Sequence, residues 1–151
     1  MGIKIITKNK KALFNYHVVE RFEAGVMLTG SEVKSVRDGK INLVDAYATI
    51  RNGEVFLHKA NISPYPPAAG LNHEPTRVRK LLLHRHEIEQ LTGALTQKGF
   101  TLIPLSVYFK EGKAKVELGL AHGKKQHDKR ADMKKREANR TIERALRSKN
   151  R

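Results

Sequence analysis

Cysteine and tryptophan are absent from this 151-residue chain, and aromatic residues make up only 6% of it. Without cysteine the chain can form neither a disulfide nor a thiolate metal site, which suits a reducing compartment. No apolar run approaches the roughly 18 residues that a membrane-spanning helix needs. The N-terminus MGIKIITKNKK also lacks the apolar core and cleavage site of a signal peptide. The sequence therefore predicts a cytoplasmic protein.

Catalytic and metal-binding patterns are missing as well. The sequence contains no GxSxG, HExxH, P-loop or GxGxxG pattern. Its nearest histidine pairs, His84 with His86 and His122 with His127, lie among cations and lack the four-ligand spacing of a zinc site. We therefore expect no enzymatic activity, no metal and no cofactor. A hydrolase or nuclease with a basic tail is the alternative that a test for RNA turnover would exclude.

What the chain does have is positive charge. It holds 30 Lys and Arg against 15 Asp and Glu, for a net charge of +15. A chain this basic usually binds a polyanion, with nucleic acid the first candidate and an anionic membrane surface the second. Residues 123–151 carry 12 of the basic residues and only 4 of the acidic ones. This shift predicts a boundary near Gly123, with a folded body over residues 1–122 and a basic tail over 123–151.

The first part of the body predicts a strand followed by a short helix. The segment ALFNYHVVERFE mixes aromatic and β-branched residues, which indicates a strand from about Ala12 to Glu23. That strand would place Phe14, Tyr16 and Phe22 on one side. Thr29 and Glu32 then have the spacing of a helix capping box.

Two hairpins and a helix are predicted in the remainder of the body. The first hairpin turns at Asn52-Gly53 and has a continuous first arm over 41–50, and the second turns at Glu111-Gly112. Pro104 predicts an edge or a bulge in the second hairpin. Between the hairpins, TRVRKLLL indicates a strand, and HRHEIEQLTGALTQKG indicates a helix that stops at Gly99.

These elements predict a mainly β fold of five or six strands with two short helices. Hairpins at this spacing indicate an antiparallel barrel or sandwich, and a small Greek-key barrel of the OB type fits the count. Lys8, Lys10 and Lys11 precede the first strand and could contact phosphates.

The tail is rich in helix-forming residues but has only a narrow apolar stripe, formed by Ala138, Ile142, Ala145 and Leu146. Such a stripe is too thin to dock firmly on a core. We therefore expect a segment that is disordered alone and helical when it lies in an anionic groove.

Four segments in series resemble one known family: NKKALFNY, FEAGVMLTGSEVKSVRDGK, EPTRVRKLLL and GKKQHDKRADMKKRE. They resemble the SmpB family, the bacterial SsrA-binding proteins, from about Lys8 to the C-terminus. The resemblance implies an OB-like barrel with packed helices and a C-terminal tail that is disordered alone and helical when bound. It also implies a protein that binds the tRNA-like domain of tmRNA (SsrA RNA). A general or ribosomal RNA-binding protein of the OB type is the alternative.

The resemblance implies a set of partners and a mechanism. The protein would deliver tmRNA, with GTP-bound elongation factor Tu, to 70S ribosomes stalled on truncated messages. It would stand in for the missing anticodon arm and codon pairing at the 16S rRNA decoding site, so that the stalled product is tagged for degradation. Its tail would become helical in the vacant mRNA channel. We expect a monomer with no membrane partner.

The resemblance also implies the site residues, which we take together with the basic cluster at the N-terminus. The residues expected to bind tmRNA are Asn9, Lys10, Lys11, Tyr16, Glu23 and Leu82. The residues expected at the ribosomal decoding site are Gly123, Lys124, Lys125, His127, Asp128, Lys129 and Arg130. Position 84 departs from the family, which often has Asn there, and His is a poorer helix N-cap than Asn.

Overall fold

A computed structural model of the chain describes residues 2–124, 129–131, 133–138 and 140. Within these residues the strands are β1 (Ile3–Lys8), β2 (Tyr16–Val26), β3 (Ile41–Asn42), β4 (Tyr47–Arg51), β5 (Glu54–His58), β6 (Asn61–Ile62), β7 (Arg79–Leu82), β8 (Phe100–Lys110) and β9 (Lys113–Gly123). The helices of the body are α1 (Lys10–Asn15), α2 (Gly30–Arg37), α3 (Arg85–Leu95) and a 3-10 helix (Pro66–Leu71).

Six antiparallel strands close into a ring. Their order is β8-β4-β5-β7-β2-β9, and β9 pairs back with β8. Strand β1 is added to β8 outside the ring, while β3 and β6 form a separate two-stranded sheet. The predicted mainly β, antiparallel barrel is therefore confirmed. The predicted number of strands was too low, because β1 was not recognised and the two-residue strands β3 and β6 are too short to show a periodicity.

The core fills the interior of this ring. Leu57, Leu102 and Leu118 are almost fully buried there and belong to one apolar cluster. Val36 from α2 and Leu91 from α3 are fully buried in the same cluster. Both helices are thus fixed to the barrel by apolar side chains. None of the helices in the described part of the chain has the length and apolar character needed to span a lipid bilayer.

The local signals for turns and caps are confirmed. Asn52 and Gly53 have φ values of 53° and 75°, and Glu111 and Gly112 have φ values of 53° and 77°. Two successive positive φ angles define the tight hairpin turn whose twist matches that of the flanking strands. The capping box of α2 also forms, since the Thr29 N–H donates to the Glu32 carboxylate at 2.9 Å. A register shift after Pro104 confirms the predicted bulge.

Three predicted boundaries were wrong. The expected strand from Ala12 begins only at Tyr16, because residues 10–15 form helix α1 and Phe14 is helical. The first arm of the Asn52-Gly53 hairpin is interrupted between β3 and β4, where Asp45 has a φ of 64°. Helix α3 ends at Leu95, and Gly99, with a φ of 88°, belongs to the turn before β8. Local hydrogen bonds end α3 at this point, since the Thr96 N–H donates to the Gly93 carbonyl oxygen and the Gln97 N–H donates to that of Ala94.

Candidate nucleic-acid interface

Asn9 fixes helix α1 on the barrel. Its side-chain oxygen accepts a hydrogen bond from the Ala12 N–H at 3.2 Å, which caps the helix. Its side-chain nitrogen donates to the carbonyl oxygens of Leu43 at 3.2 Å and Pro104 at 3.0 Å. The residue is buried, and both donors of its amide are used inside the protein. The structure therefore gives Asn9 the task of positioning α1, which carries the exposed lysines Lys10 and Lys11.

A cavity of about 550 Å³ lies between α1, the segment before β4 and the end of β9. Its lining includes Lys11 and Tyr16, which were predicted to bind tmRNA. It also includes Gly123, Lys124 and Lys129, which were predicted to contact the decoding site. The structure thus joins two groups of residues that the sequence assigned to separate surfaces. We refer to this cavity as the α1 cavity.

The walls of the α1 cavity are aromatic and cationic. Tyr47 forms part of the lining and stacks on His58, with ring centroids 5.0 Å apart and an interplanar angle of 10°. The Lys11 ammonium lies 3.3 Å from the Asp45 carboxylate, and both side chains are well exposed. An exposed pair of this kind contributes little to stability. Lys11 can therefore exchange its contact with Asp45 for one with an RNA phosphate at little cost in free energy.

A second cavity of similar size lies on the wall of the barrel, where β7, β2 and β9 are neighbours. It contains Glu23 and Leu82, two further residues predicted to bind tmRNA, together with His84. Leu82 is 50% exposed, and Val26 and Leu28 line the same cavity, so its apolar surface extends over several side chains. Lys113 and Lys115 also line this cavity. We refer to it as the Glu23 cavity.

The carboxylate of Glu23 is held by two residues of β8. The Tyr108 hydroxyl donates to Oε2 at 2.5 Å. The Lys110 ammonium lies 3.4 Å from both carboxylate oxygens. The hydrogen bond from Tyr108 lowers the pKa of Glu23 below its ordinary value, and the positive charges of Lys110 and Lys115 act in the same direction. Burial and the contact with Glu23 raise the pKa of Tyr108. At neutral pH the pair is therefore a carboxylate and a neutral phenol.

Strand β2 connects the two cavities. Tyr16 begins the strand and Glu23 follows seven residues later, a distance of about 20 Å at the usual rise of a strand. The described residues that line one cavity do not line the other. An RNA that contacts both cavities must therefore span about 20 Å of the barrel wall, which favours a folded RNA over a single nucleotide.

The start of the tail is tied to α1. Gly123 is the last residue of β9 and pairs with Tyr16. The Lys124 N–H donates to the Asn15 carbonyl oxygen at 2.9 Å. Residues 129–131, 133–138 and 140 are helical, and the Arg136 guanidinium lies 5.4 Å from the centre of the Phe14 ring. Arg130 is exposed, whereas Lys125, His127 and Asp128 lie outside the described residues.

Several residues that line the Glu23 cavity or contact Glu23 were not predicted from the sequence. Tyr108 and Lys110 are 85 and 87 positions from Glu23, so only the register of the sheet reveals their contact. Lys113 and Lys115, in contrast, could have been predicted from the sequence. Two cations at i and i+2 just after a turn place both charges on one face of a strand. That pattern in KEGKAKVELG was visible in the sequence.

Comparison with known proteins gives a consistent result. The SmpB protein family matches residues 6–148. The SsrA-binding protein of Geobacter sulfurreducens is 56% identical over 149 residues, which cover 99% of this chain and 97% of that protein. The SsrA-binding protein of Geobacillus kaustophilus is 56% identical over 144 residues, 95% of this chain and 93% of the relative.

A solved structure is similar as well. It is described as "tmRNA-SmpB: a journey to the center of the bacterial ribosome", and one of its chains superposes with a TM-score of 0.68 at 47% identity. The match covers 80% of this chain and 85% of that chain. Both the sequence and the barrel are therefore shared with proteins of this one family.

Proposed function

The chain belongs to the SmpB family, and on that premise we propose that it is a tmRNA-binding protein of trans-translation. It binds the tRNA-like domain of tmRNA and delivers this RNA to stalled ribosomes, where the stalled product is tagged for degradation. It acts as an adaptor by binding RNA and catalyses no step itself.

Of the structural features described above, the α1 cavity supports this proposal most strongly. Lys11 and Tyr16 line it from the barrel side, and Gly123, Lys124 and Lys129 line it from the tail side. An RNA held at α1 would therefore lie beside the first residues of the tail. This arrangement supports a protein that holds one RNA while its tail reaches a second, ribosomal one.

Each residue of the barrel interface has a distinct task in this proposal. Lys10 and Lys11 contact phosphates, because an ammonium group suits a backbone charge without reading sequence. Tyr16 offers a ring on which an unpaired base can stack. Asn9 acts indirectly by fixing α1. Glu23 and Leu82 form a second contact at the far end of β2.

The tail engages the ribosome in this proposal, and residues 1–122 and 123–151 divide the work. Residues near the junction face the 16S rRNA of the decoding site and stand in for the missing anticodon arm and codon pairing. They are Gly123, Lys124, Lys125, His127, Asp128, Lys129 and Arg130. The remainder enters the empty mRNA channel as a helix. Its high positive charge supports this role, because the channel is lined by a polyanion.

We also propose an oligomeric state, a cellular location and an indirect partner for the protein. The protein is a monomer in the cytoplasm, where ribosomes are found, and it meets elongation factor Tu with GTP only through the shared tmRNA. A stable monomer is supported by the closed ring of strands, since among the described residues the strands outside it are β1 and the two-residue strands β3 and β6.

RNA capture from a bacterial lysate, followed by sequencing, tests the proposed function. The tagged full chain should enrich tmRNA far above its share of total RNA, and a Lys10→Ala/Lys11→Ala variant should enrich it less. Recovery of tRNA and rRNA in proportion to their abundance would reject tmRNA as the specific partner.

A further inference from the structure

An acidic side chain at an RNA-binding surface needs an explanation, because it repels the phosphate backbone. Glu23 is such a residue, and its side chain is 40% exposed. It lies in a cavity that also contains Lys113 and Lys115. The inference below rests on the proposed function and concerns what this carboxylate recognises.

Three residues of the Glu23 cavity, Leu82, Gly25 and Lys115, stand in one row across β7, β2 and β9, and Tyr108 continues this row on β8. On β2, Gly25 lies opposite Leu82 of β7 on one side and opposite Lys115 of β9 on the other. Lys115 in turn lies opposite Tyr108 of β8. Directly opposite residues of antiparallel strands present their side chains on the same face. The row therefore runs from an apolar side chain, across a glycine, to a cation and a phenol.

Gly25 makes the cavity possible. Its position carries no side chain, and a Cβ placed there would meet the Cβ of Leu82 at 3.4 Å. The face of Leu82 next to it is consequently open, with Val26 and Leu28 in the same lining. A flat, apolar object such as the face of a nucleobase fits against this floor.

The polar edge of the cavity is an acceptor. Glu23 is ionised, and an ionised carboxylate can only accept hydrogen bonds. Tyr108 occupies one position on Oε2, and Lys110 lies beside both oxygens on the exposed side. Two carboxylate oxygens have about four acceptor positions, so a ligand with two adjacent N–H groups can still be bound. The other charged groups near this carboxylate are Lys115 and Glu117 of β9, and Glu117 is paired with Arg21.

We propose that the Glu23 cavity holds one unpaired guanine of the bound RNA, whose Watson–Crick edge donates to the Glu23 carboxylate that Tyr108 and Lys110 hold in place. Guanine is the base with two neighbouring donors, N1–H and the N2 amino group, on that edge. The base face lies on Leu82 and over Gly25. Lys113 and Lys115 contact the flanking phosphates, and Tyr108 is a positioning residue that does not touch the RNA.

Titration with single nucleotides tests the base preference. Chemical shifts of the Glu23 carboxyl carbon and the Leu82 methyl groups are followed in the full chain as 5′-GMP, 5′-IMP or 5′-AMP is added. IMP keeps N1–H but lacks the N2 amino group. We expect GMP to bind at least about tenfold more tightly than AMP, with IMP between them. A tenfold difference in affinity corresponds to about 1.4 kcal/mol, which one hydrogen bond to a charged group can supply. Equal shifts with GMP and AMP, or no shift with any nucleotide, would overturn the proposal.

A double-mutant cycle tests the positioning role of Tyr108. The affinity of the full chain for a transcript of the tRNA-like domain is measured for Glu23→Gln, Tyr108→Phe and the double variant. We expect losses of about tenfold for Glu23→Gln and about fivefold for Tyr108→Phe, and no further loss in the double variant, because both changes act through one carboxylate. Additive losses would show that Tyr108 acts elsewhere and would overturn its positioning role.

Two control variants test whether the loss of affinity is specific to the Glu23 cavity. Tyr65→Phe makes the same chemical change outside the Glu23 cavity and should leave the affinity within about twofold. Gly25→Val fills the cavity floor without touching Glu23 and should weaken binding as strongly as Glu23→Gln. Thermal unfolding of each variant checks that the barrel remains folded.

Failure of this inference is distinguishable from failure of the proposed function. If the wild-type chain binds the tRNA-like domain in preference to elongator tRNA but shows no preference for GMP, the function stands and the guanine site is wrong. If that preference for the tRNA-like domain is absent, the proposed function itself is wrong, whatever the nucleotide titration shows.

Discussion

The guanidinium of Arg79 and the carboxylate of Glu32 form an ion pair inside the barrel wall, with Nε and Oε2 2.5 Å apart and both side chains sealed from solvent. Arg79 also donates to the carbonyl oxygens of Ala60 at 2.8 Å and Pro75 at 3.1 Å. Arg77 contacts the same carboxylate at 2.6 Å. The buried pair of Glu32 and Arg79 thus connects helix α2, strand β7 and the loop after β5.

Removal of Arg79 should therefore destabilise the fold strongly. Arg79→Met removes the guanidinium donor to the Ala60 carbonyl oxygen and weakens the neutralisation of a buried charge, so we expect a loss of about 3–5 kcal/mol in the free energy of unfolding. Urea denaturation measures it. The neighbouring Lys80→Met breaks only an exposed pair with Glu54 and should cost less than about 1 kcal/mol. Similar losses in both variants would contradict a structural role for the buried pair.

The same carboxylate should make stability fall in acid. Burial opposes ionisation of Glu32, but hydrogen bonds from Arg77, the Thr29 N–H and Arg79 outweigh it and lower its pKa to about 2. The pKa is thus lower in the folded chain than in the unfolded chain. This contribution is complete above the ordinary pKa of a glutamate and is lost as the pH falls towards 2.

Urea denaturation at pH 5 and pH 3 measures this contribution. The wild-type chain should lose on the order of 2 kcal/mol more between these pH values than Glu32→Gln does, because the variant has no carboxyl group to protonate there. Parallel losses in the two proteins would show that the pKa of Glu32 is not lower in the folded chain than in the unfolded chain.

Truncation after Lys124 should separate the two binding tasks. Gly123 pairs with Tyr16 and the Lys124 N–H bonds to Asn15, so a chain of residues 1–124 keeps these contacts. We expect its affinity for the tRNA-like domain to stay within about threefold of the full chain, which corresponds to less than 1 kcal/mol, while tagging on stalled ribosomes is abolished. Filter binding and a reconstituted tagging reaction measure the two quantities.

A second truncation provides the control for that experiment. A chain of residues 1–122 loses the contacts of Gly123 and Lys124 as well, so it should be less stable and should bind RNA more weakly than the 1–124 chain. A large loss of RNA affinity already in the 1–124 chain would contradict the division of labour between barrel and tail.

Replacement of His84 by Asn should stabilise helix α3. His84 stands at the N-cap with φ −69° and ψ 148°, and its N–H donates to the Glu87 carboxylate at 3.1 Å. Asn in this position can accept a hydrogen bond from the first turn, which typically adds about 0.5–1 kcal/mol. Thermal unfolding should show a higher midpoint for His84→Asn. An unchanged midpoint would mean that the His84 ring already contributes as much as an Asn cap.

The sequence predicted those parts of the fold that local chemistry decides. The turns at Asn52-Gly53 and Glu111-Gly112 and the cap at Thr29 depend on residues next to one another in the chain. Helix α1 depends on both local and distant contacts. Asn9 caps it locally by accepting from the Ala12 N–H, and the same side chain fixes the helix on the barrel through carbonyl groups 34 and 95 positions away. The aromatic and β-branched residues that follow in the sequence had indicated a strand here.

The same distinction applies to the candidate site. The excess of lysine and arginine and the resemblance to the SmpB family were sufficient to nominate residues from Asn9 to Leu82. They could not place Glu23 beside Tyr108, because that contact depends on the register of β2, β9 and β8. Nor could they bring Tyr16 and Lys124 into one cavity. Sequence patterns nominated candidate residues, and the closed sheet determines which of them are neighbours.

Competition between two RNAs tests the central claim most directly. A labelled transcript of the tRNA-like domain of tmRNA is bound to the full chain and displaced with unlabelled transcript or with an unlabelled elongator tRNA at the same ionic strength. Because both competitors carry similar charge, the comparison removes the sequence-independent contribution of the phosphates. We predict that the tRNA-like domain competes at least about tenfold more effectively, a difference of 1.4 kcal/mol or more. Equal competition by the two RNAs would contradict the assignment of this chain as a tmRNA-binding protein.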